Sequence, residues 1–186
     1  MSKIYLIRHC QAEGQDIDAD LTEVGKEQSV ALAKFLVDID IQGIVSSHFL
    51  RAQHTILPLS KALNIPIAID KRLGERVLSS ESMPDWAEAL KKTYEDLDLK
   101  YKGGESSREA TDRAIRCIKE CLLEEKSLAL VTHGGLLSFI LKHYDSRFGY
   151  EDWKKLTNPD VYCLNFVQGD RPEITRIWEE QDASVH

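Results

Sequence analysis

Ile4-Tyr5-Leu6-Ile7-Arg8-His9-Cys10 is the stretch from which the rest of this chain is read. Four apolar residues form a run short enough for a buried strand, and the run stops abruptly at an arginine and a histidine. Two polar side chains are a poor way to close a core element. They are a good way to furnish the edge of a sheet, where open α/β folds hold their ligands. Far along the chain the device recurs: Leu128-Ala129-Leu130-Val131 leads through Thr132-His133 into Gly134-Gly135.

Working outward, strand patterns at Lys3–Arg8, Gly43–Ser46, Pro66–Ile69 and Leu128–Thr132 alternate with helical ones. The helical patterns run from about Thr22 to Val37, Leu50 to Leu63, Ser107 to Glu124 and Gly135 to His143. Such alternation predicts an α/β fold, a three-layer αβα sandwich with a mostly parallel central sheet. Val161–Val167 and Glu173–Trp178, separated by Gly169-Asp170, read as an antiparallel edge. Ser106-Ser107-Arg108-Glu109 reads as a capping box. Residues 77 to 104 are polar, hold Trp86 and Tyr94, and predict a helix from Asp85 to Glu95. They read as an insert over one end of the sheet. Residues 144 to 159, with Phe148, Tyr150 and Trp153, read as a second small cap. The domain is expected to span residues 1–178, with a loose tail over 179–186.

At 186 residues the chain is long enough for one stable core. Hydrophobic residues make up 42% and charged residues 30%, as in ordinary globular proteins. A net charge of −7 argues against nucleic acid as a partner. No apolar stretch approaches membrane-spanning length, and Lys3 and Arg8 flank too few apolar residues for an export signal. The expectation is a cytoplasmic protein without a membrane partner, its four cysteines reduced. Cys117 and Cys121 share one helix face. A metal there needs a matching His or Cys pair, and none lies nearby.

The candidate site residues suit phosphoryl chemistry. Cleaving a phosphate monoester takes a nucleophile, positive charge around the phosphoryl oxygens and an acid for the leaving oxygen. Histidine, with an ordinary pKa of about 6.5, is a nucleophile that needs no separate base. Arginine matches phosphate oxygens with its planar fork. A carboxyl group can serve as the acid and later, as carboxylate, activate water. His9 is the candidate nucleophile. Arg8 stands beside it, and Arg51 opens a helix after Gly43–Ser46, where a cation opposes the helix dipole unless an anion is bound. Glu75 follows a strand, in Lys71-Arg72-Leu73-Gly74-Glu75-Arg76; Arg72 and Arg76 either pair with it or face solvent. His133 and the N–H groups after it are expected to face an oxyanion, with Gly134-Gly135 allowing close approach. Gln15 reads as an amide donor to a phosphoryl oxygen or as a surface glutamine. The insert offers Lys91, Lys92, Lys100 and Lys102, either as extra anion contacts or as a solvated face.

The order of these pieces resembles the histidine phosphatase superfamily, also called the phosphoglycerate mutase-like family, from Ile4 to about Trp178. Arg8-His9 matches its core motif. Leu21-Thr22-Glu23-Val24-Gly25-Lys26-Glu27-Gln28 matches Leu-Thr-x-x-Gly-x-x-Gln, and Ser46 to Thr55 matches Ser-Ser-x-x-x-Arg-Ala-x-x-Thr. Glu75-Arg76, Gly103-Gly104-Glu105-Ser106 and His133-Gly134-Gly135 complete the set. The resemblance implies a phosphohistidine on His9, a phosphate pocket of Arg8, Arg51 and His133, and Glu75 as proton donor. Substrate contacts are then expected from Arg8, Gln15, Thr22, Arg51, Glu75, His133 and Gly134, with neither metal nor cofactor. The implied substrate is a small phosphomonoester. Gln15 replaces a frequent Asn, and Val77-Leu78-Ser79-Ser80 lacks a glycine often found after Glu-Arg. Both departures bear on the pocket edge and so on the substrate.

A phosphoglycerate mutase-type phosphotransferase is the alternative within that family, and its larger inserts are absent here. A non-catalytic phosphate sensor is a further alternative, and such a chain is expected to lose His9, Glu75 or His133. Two other phosphatase chemistries have motifs of their own: no cysteine has an arginine six residues on, and Asp16-Ile17-Asp18, Asp38-Ile39-Asp40 and Asp96-Leu97-Asp98 lack the Thr or Val that follows. No P-loop is present. The oligomeric state stays open.

Overall fold

β1 (Ser2–Arg8) is flanked on one side by the parallel strand β4 (Leu128–Thr132) and on the other by the antiparallel β5 (Asp160–Phe166). In this computed structural model, which describes residues 2–167 and 169–179, the sheet order is β3-β2-β4-β1-β5-β6. β2 is Gly43–Ser46, β3 is Ile67–Ile69 and β6 is Glu173–Arg176. The first four strands in that order run parallel, and β5 and β6 form the antiparallel edge. Residues 180–186 of the expected tail lie outside the described residues.

The apolar runs are continuous because both faces of the central strands are covered. Ile4, Leu6, Leu128 and Leu130 point to one face, against Ala110, Ala114 and Ile118 of α4 (Ser107–Leu122) and Leu137 and Ile140 of α5 (Gly134–Tyr144). Tyr5, Ile7, Ala129 and Val131 point to the other. There they meet Leu32 and Leu36 of α1 (Glu23–Leu36) and Ala52, Ile56 and Leu59 of α2 (Leu50–Leu63). The result is the expected three-layer α/β architecture.

Register then sets the site. Arg8 pairs with Thr132, and the His9 N–H donates to the Thr132 carbonyl at 3.1 Å, so the two strands deliver His9 and His133 to the same edge. Ser46 pairs with Val131, which brings Ser47 beside them. The insert carries α3 (Trp86–Glu95), whose Leu90 and Tyr94 pack on Phe139 of α5, with the Tyr94 hydroxyl 2.6 Å from Ser138 Oγ. Gly103, at φ 66°, turns the insert back, and Ser106 and Glu109 form the predicted capping box, a device that typically contributes about 1 kcal/mol. The second cap is α6 (Tyr150–Lys154). Among the described residues no helix is long and apolar enough to cross a membrane.

Candidate active site

His9 ends β1 almost buried, with its ring fixed at both nitrogens. A carbonyl oxygen only accepts, so the 2.7 Å contact with the Cys10 carbonyl makes Nδ1 the protonated nitrogen. Nε2 is left with its lone pair, and Arg51 Nε donates to it at 3.3 Å. Burial, helped by the Arg51 and Arg8 charges and opposed by the Cys10 hydrogen bond, pushes the His9 pKa down to about 3. The ring is therefore neutral in the free protein. Asn158 Nδ2 donates to the His9 carbonyl at 2.9 Å, and Thr55 Oγ1 accepts from the Cys10 N–H at 2.8 Å. Cys10 is packing, since burial raises its thiol to about 12.

Arg51 is the largest fully buried side chain. Its Nη1 donates to the carbonyls of Gln15 and Asp16 at 3.1 and 2.9 Å, and its guanidinium lies over the Phe49 ring. Arg8 Nη1 donates to the Leu156 carbonyl at 3.1 Å. Burial lowers the pKa of both arginines, and the Glu75 carboxylate is the foremost opposing influence on each. His133 is fully buried, with Nε2 2.8 Å from Ser47 Oγ and its ring 5.1 Å from that of His9. Burial holds its pKa well below the ordinary value, with the His9 and Arg51 charges acting the same way. Arg8 Nε and His133 Nδ1 are buried without a hydrogen-bond partner among the described residues. Orphaned nitrogens of this kind are rare in native proteins, and the Arg8 N–H, which can only donate, marks a site for an acceptor.

Glu75 corrects one expectation. Two of the N–H groups that follow His133, those of Gly135 and Leu136, do not stand free for an oxyanion. Gly135 and Leu136 donate to the two Glu75 carboxylate oxygens at 3.0 Å each, and Arg76 N–H donates at 2.9 Å. Glu75 thus caps α5, which has no side-chain cap from its own N-cap residue, His133. The glycines permit this contact: a Cβ on Gly134 falls 2.8 Å from Arg8 Nε, and one on Gly135 falls 2.7 Å from Glu75 Oε1.

Other side chains leave the site. Arg76 neither pairs with Glu75 nor reaches solvent: it is buried on the Phe139 ring and donates to the hydroxyls of Ser107 and Thr93. Arg72 binds Asp70 and Glu120. Thr22, expected at the substrate, caps α1, accepting from Gly25 N–H at 2.9 Å and donating to Gln11 Oε1 at 2.8 Å. Its motif acts through Gln11, whose N–H also meets Gln28 Oε1. Lys100 pairs with Glu109 and Lys102 with Glu81.

A cavity of about 480 Å³ opens over His9. Arg8, Glu75, Gly134 and Gly135 line it, with Gln11, Ala12, Gly14 and Gln15 on one side, Asn158 nearby, and Trp86 and Trp153 from the two caps. Arg51 and His133 lie outside this lining, tied to His9 and Ser47. The sequence alone assigns no role to Gln11, Ser47 or Asn158. Only Ser47, inside a motif, carried a signal there. Among the described residues no cluster of three His, Cys, Asp or Glu side chains is arranged to hold a metal ion.

A neutral histidine at the carboxyl edge of a parallel sheet, with half-buried Arg8 and buried Arg51 beside it, defines an α/β enzyme of the phosphatase type. The chain belongs to the histidine phosphatase superfamily (branch 1), whose family model matches residues 4–179. It is 30% identical to the glucosyl-3-phosphoglycerate phosphatase of Mycolicibacterium vanbaalenii, covering 73% of this chain and 71% of that protein. It is 31% identical to the metal-independent phosphoserine phosphatase of Arabidopsis thaliana, over 75% and 67% of the two chains. Among solved structures it resembles a mycobacterial glucosyl-3-phosphoglycerate phosphatase in complex with inorganic phosphate. The TM-score is 0.77 at 25% identity, over 95% of this chain and 96% of that one.

Proposed function

We propose that this protein hydrolyses a small phosphorylated metabolite without a metal, through a phosphohistidine on His9. The observation that carries the reading is the Nε2 lone pair of His9, held by the Cys10 carbonyl at Nδ1 and flanked by Arg8 and Arg51. The named activities of the relatives, on glucosyl-3-phosphoglycerate and phosphoserine, support a small phosphomonoester as substrate.

In this reading the phosphoryl oxygens sit on Arg8, Arg51 and His133, and Arg51 Nε passes from His9 Nε2 to one of them. Nε2 attacks phosphorus in line, the bond to the leaving oxygen breaks, and Glu75 in its acid form gives that oxygen a proton. Water then attacks phosphorus, Glu75 carboxylate takes its proton, and the P–N bond breaks to release inorganic phosphate. Gln15 lines the approach as a substrate contact. The guanidinium groups act where charge develops.

Hydrolysis of p-nitrophenyl phosphate in EDTA, wild type beside His9→Ala, tests this. Turnover that is lost in the variant supports a metal-independent phosphohistidine route. Turnover that survives in His9→Ala overturns the nucleophile, and turnover that needs a metal overturns the metal-free chemistry.

A further inference from the structure

Beyond the phosphoryl seat, the cavity carries neither a cation nor a carboxylate. Its charged or titratable liners are Arg8, His9 and Glu75, all of them spent on the phosphoryl group in the reading above, on which this inference rests. The segment Gln11–Asp20 supplies one wall and contains no lysine or arginine, while Glu13, Asp16 and Asp18 on it are exposed. A leaving group that carries a carboxylate or a second phosphate meets no counter-ion there, and the nearby segment adds negative and no positive charge.

What the rim offers instead is two indoles and unused amide groups. Trp153 stacks on Tyr150, with centroids 5.5 Å apart and planes 23° apart, so its ring is fixed. Trp86 is 54% exposed and has no ring partner among the described residues, although Ala89 and Leu90, one turn along α3, are buried. An aromatic ring left in water at the mouth of a cavity is a surface for a ligand. Asn158 spends its amide nitrogen on the His9 carbonyl and keeps its oxygen as an acceptor. Gln11 spends its amide oxygen on Thr22 and keeps its nitrogen as a donor. Free acceptor and free donor together match hydroxyl groups, each of which both gives and takes a hydrogen bond.

We infer that the leaving group is a neutral polyol, that is, that the substrate is a sugar monophosphate whose apolar ring face lies against Trp86 and Trp153. The test compares kcat/KM of the full chain for glucose 6-phosphate, phosphoserine, 3-phosphoglycerate, a 5′-nucleoside monophosphate and ethyl phosphate. The expected result is at least a tenfold preference for the sugar ester over phosphoserine and 3-phosphoglycerate. Trp86→Ala and Trp153→Ala should each remove most of the preference over ethyl phosphate, through KM and not kcat. Equal or better use of the charged esters overturns the inference. So does a preference that survives both substitutions, and a favoured nucleoside monophosphate replaces the sugar with a base. If no ester is hydrolysed, the phosphatase reading fails separately. Calorimetric binding of the same esters to the wild-type chain then still decides: tenfold tighter binding of the sugar ester sustains the inference, and equal or weaker binding overturns it.

Discussion

Arg51 Nε lies 3.3 Å from His9 Nε2 and donates its hydrogen to the lone pair that, in the proposed mechanism, attacks phosphorus. The free protein thus holds its proposed nucleophile masked by the group proposed to bind the phosphoryl oxygens. The other arm of the guanidinium is anchored on the Gln15 and Asp16 carbonyls, so Arg51 can turn toward a phosphoryl oxygen only within a fixed arc. A lysine keeps the charge but cannot hold two carbonyls and serve the phosphate at once. Arg51→Lys is expected to lower kcat/KM by about 10²–10³-fold, the usual cost of a lost oxyanion donor. Steady-state kinetics with p-nitrophenyl phosphate check it, and a loss under threefold removes Arg51 from the phosphoryl seat.

Acid should act on stability before it acts on the nucleophile. The native His9 ring, with its pKa near 3, is harder to protonate than the unfolded one at about 6.5. Between those values the unfolded chain binds the extra proton, so stability is full above about pH 6.5 and falls as pH drops toward 3. His133 contributes in the same direction. One such group gives a slope of at most about 1.4 kcal/mol per pH unit. Calorimetric melting between pH 7 and 5 is expected to show the decline, and His9→Gln should flatten it. An unchanged slope in that variant shows that His9 does not titrate this way. In kcat/KM, His9 stays neutral at pH 5, so an ionisation seen near pH 6 does not belong to His9.

Glu75 caps α5 and is the proposed acid, and one experiment can separate the two roles. Its carboxylate accepts from three backbone N–H groups, which ties the proposed acid to the start of α5. Glu75→Gln removes the transferable proton and also turns an amide toward donors. Turnover of ethyl phosphate, a poor leaving group, should fall by roughly 10²-fold or more, while p-nitrophenyl phosphate, whose phenolate needs little protonation, should lose under tenfold. Equal losses with both esters show that Glu75 is structural only. The melting temperature should fall in either case.

The sheet and the two histidines were legible because their signals are local. A continuous apolar run means a strand buried on both faces, and a polar pair at its end means an edge. Arg51 was legible as a cation placed against a helix dipole. What escaped was side-chain traffic across long chain separations. Asn158 reaches the His9 carbonyl, and Arg8 reaches the Leu156 carbonyl, across nearly the whole chain. No spacing rule connects such residues. Thr22 and Arg76 misled for a different reason: a motif marks that a residue matters, not what it touches. Thr22 holds the Gln11 loop, and Arg76 glues α3 and α4 to Phe139.

The paired glycines after His133 give the sharpest separation of binding from proton transfer. Neither has a positive φ, so alanine is tolerated by the backbone at both positions, and the effect comes from what the new Cβ meets. At Gly134 it meets the Arg8 guanidinium within 3.0 Å, and at Gly135 the Glu75 carboxylate at 2.7 Å. Real carbon contacts at those distances are repulsive, so a charged group must shift in each case. Gly134→Ala should therefore raise KM and weaken inhibition by inorganic phosphate about tenfold or more, for good and poor leaving groups alike. Gly135→Ala should instead lower kcat mainly for ethyl phosphate and leave phosphate inhibition within about threefold, since a 1 Å misplacement of a catalytic group can cost 10²-fold. Phosphate inhibition constants and leaving-group ratios for the two variants decide the matter. The same defect in both would mean that Arg8 and Glu75 move as one unit and that binding and proton transfer are not separable at this helix start.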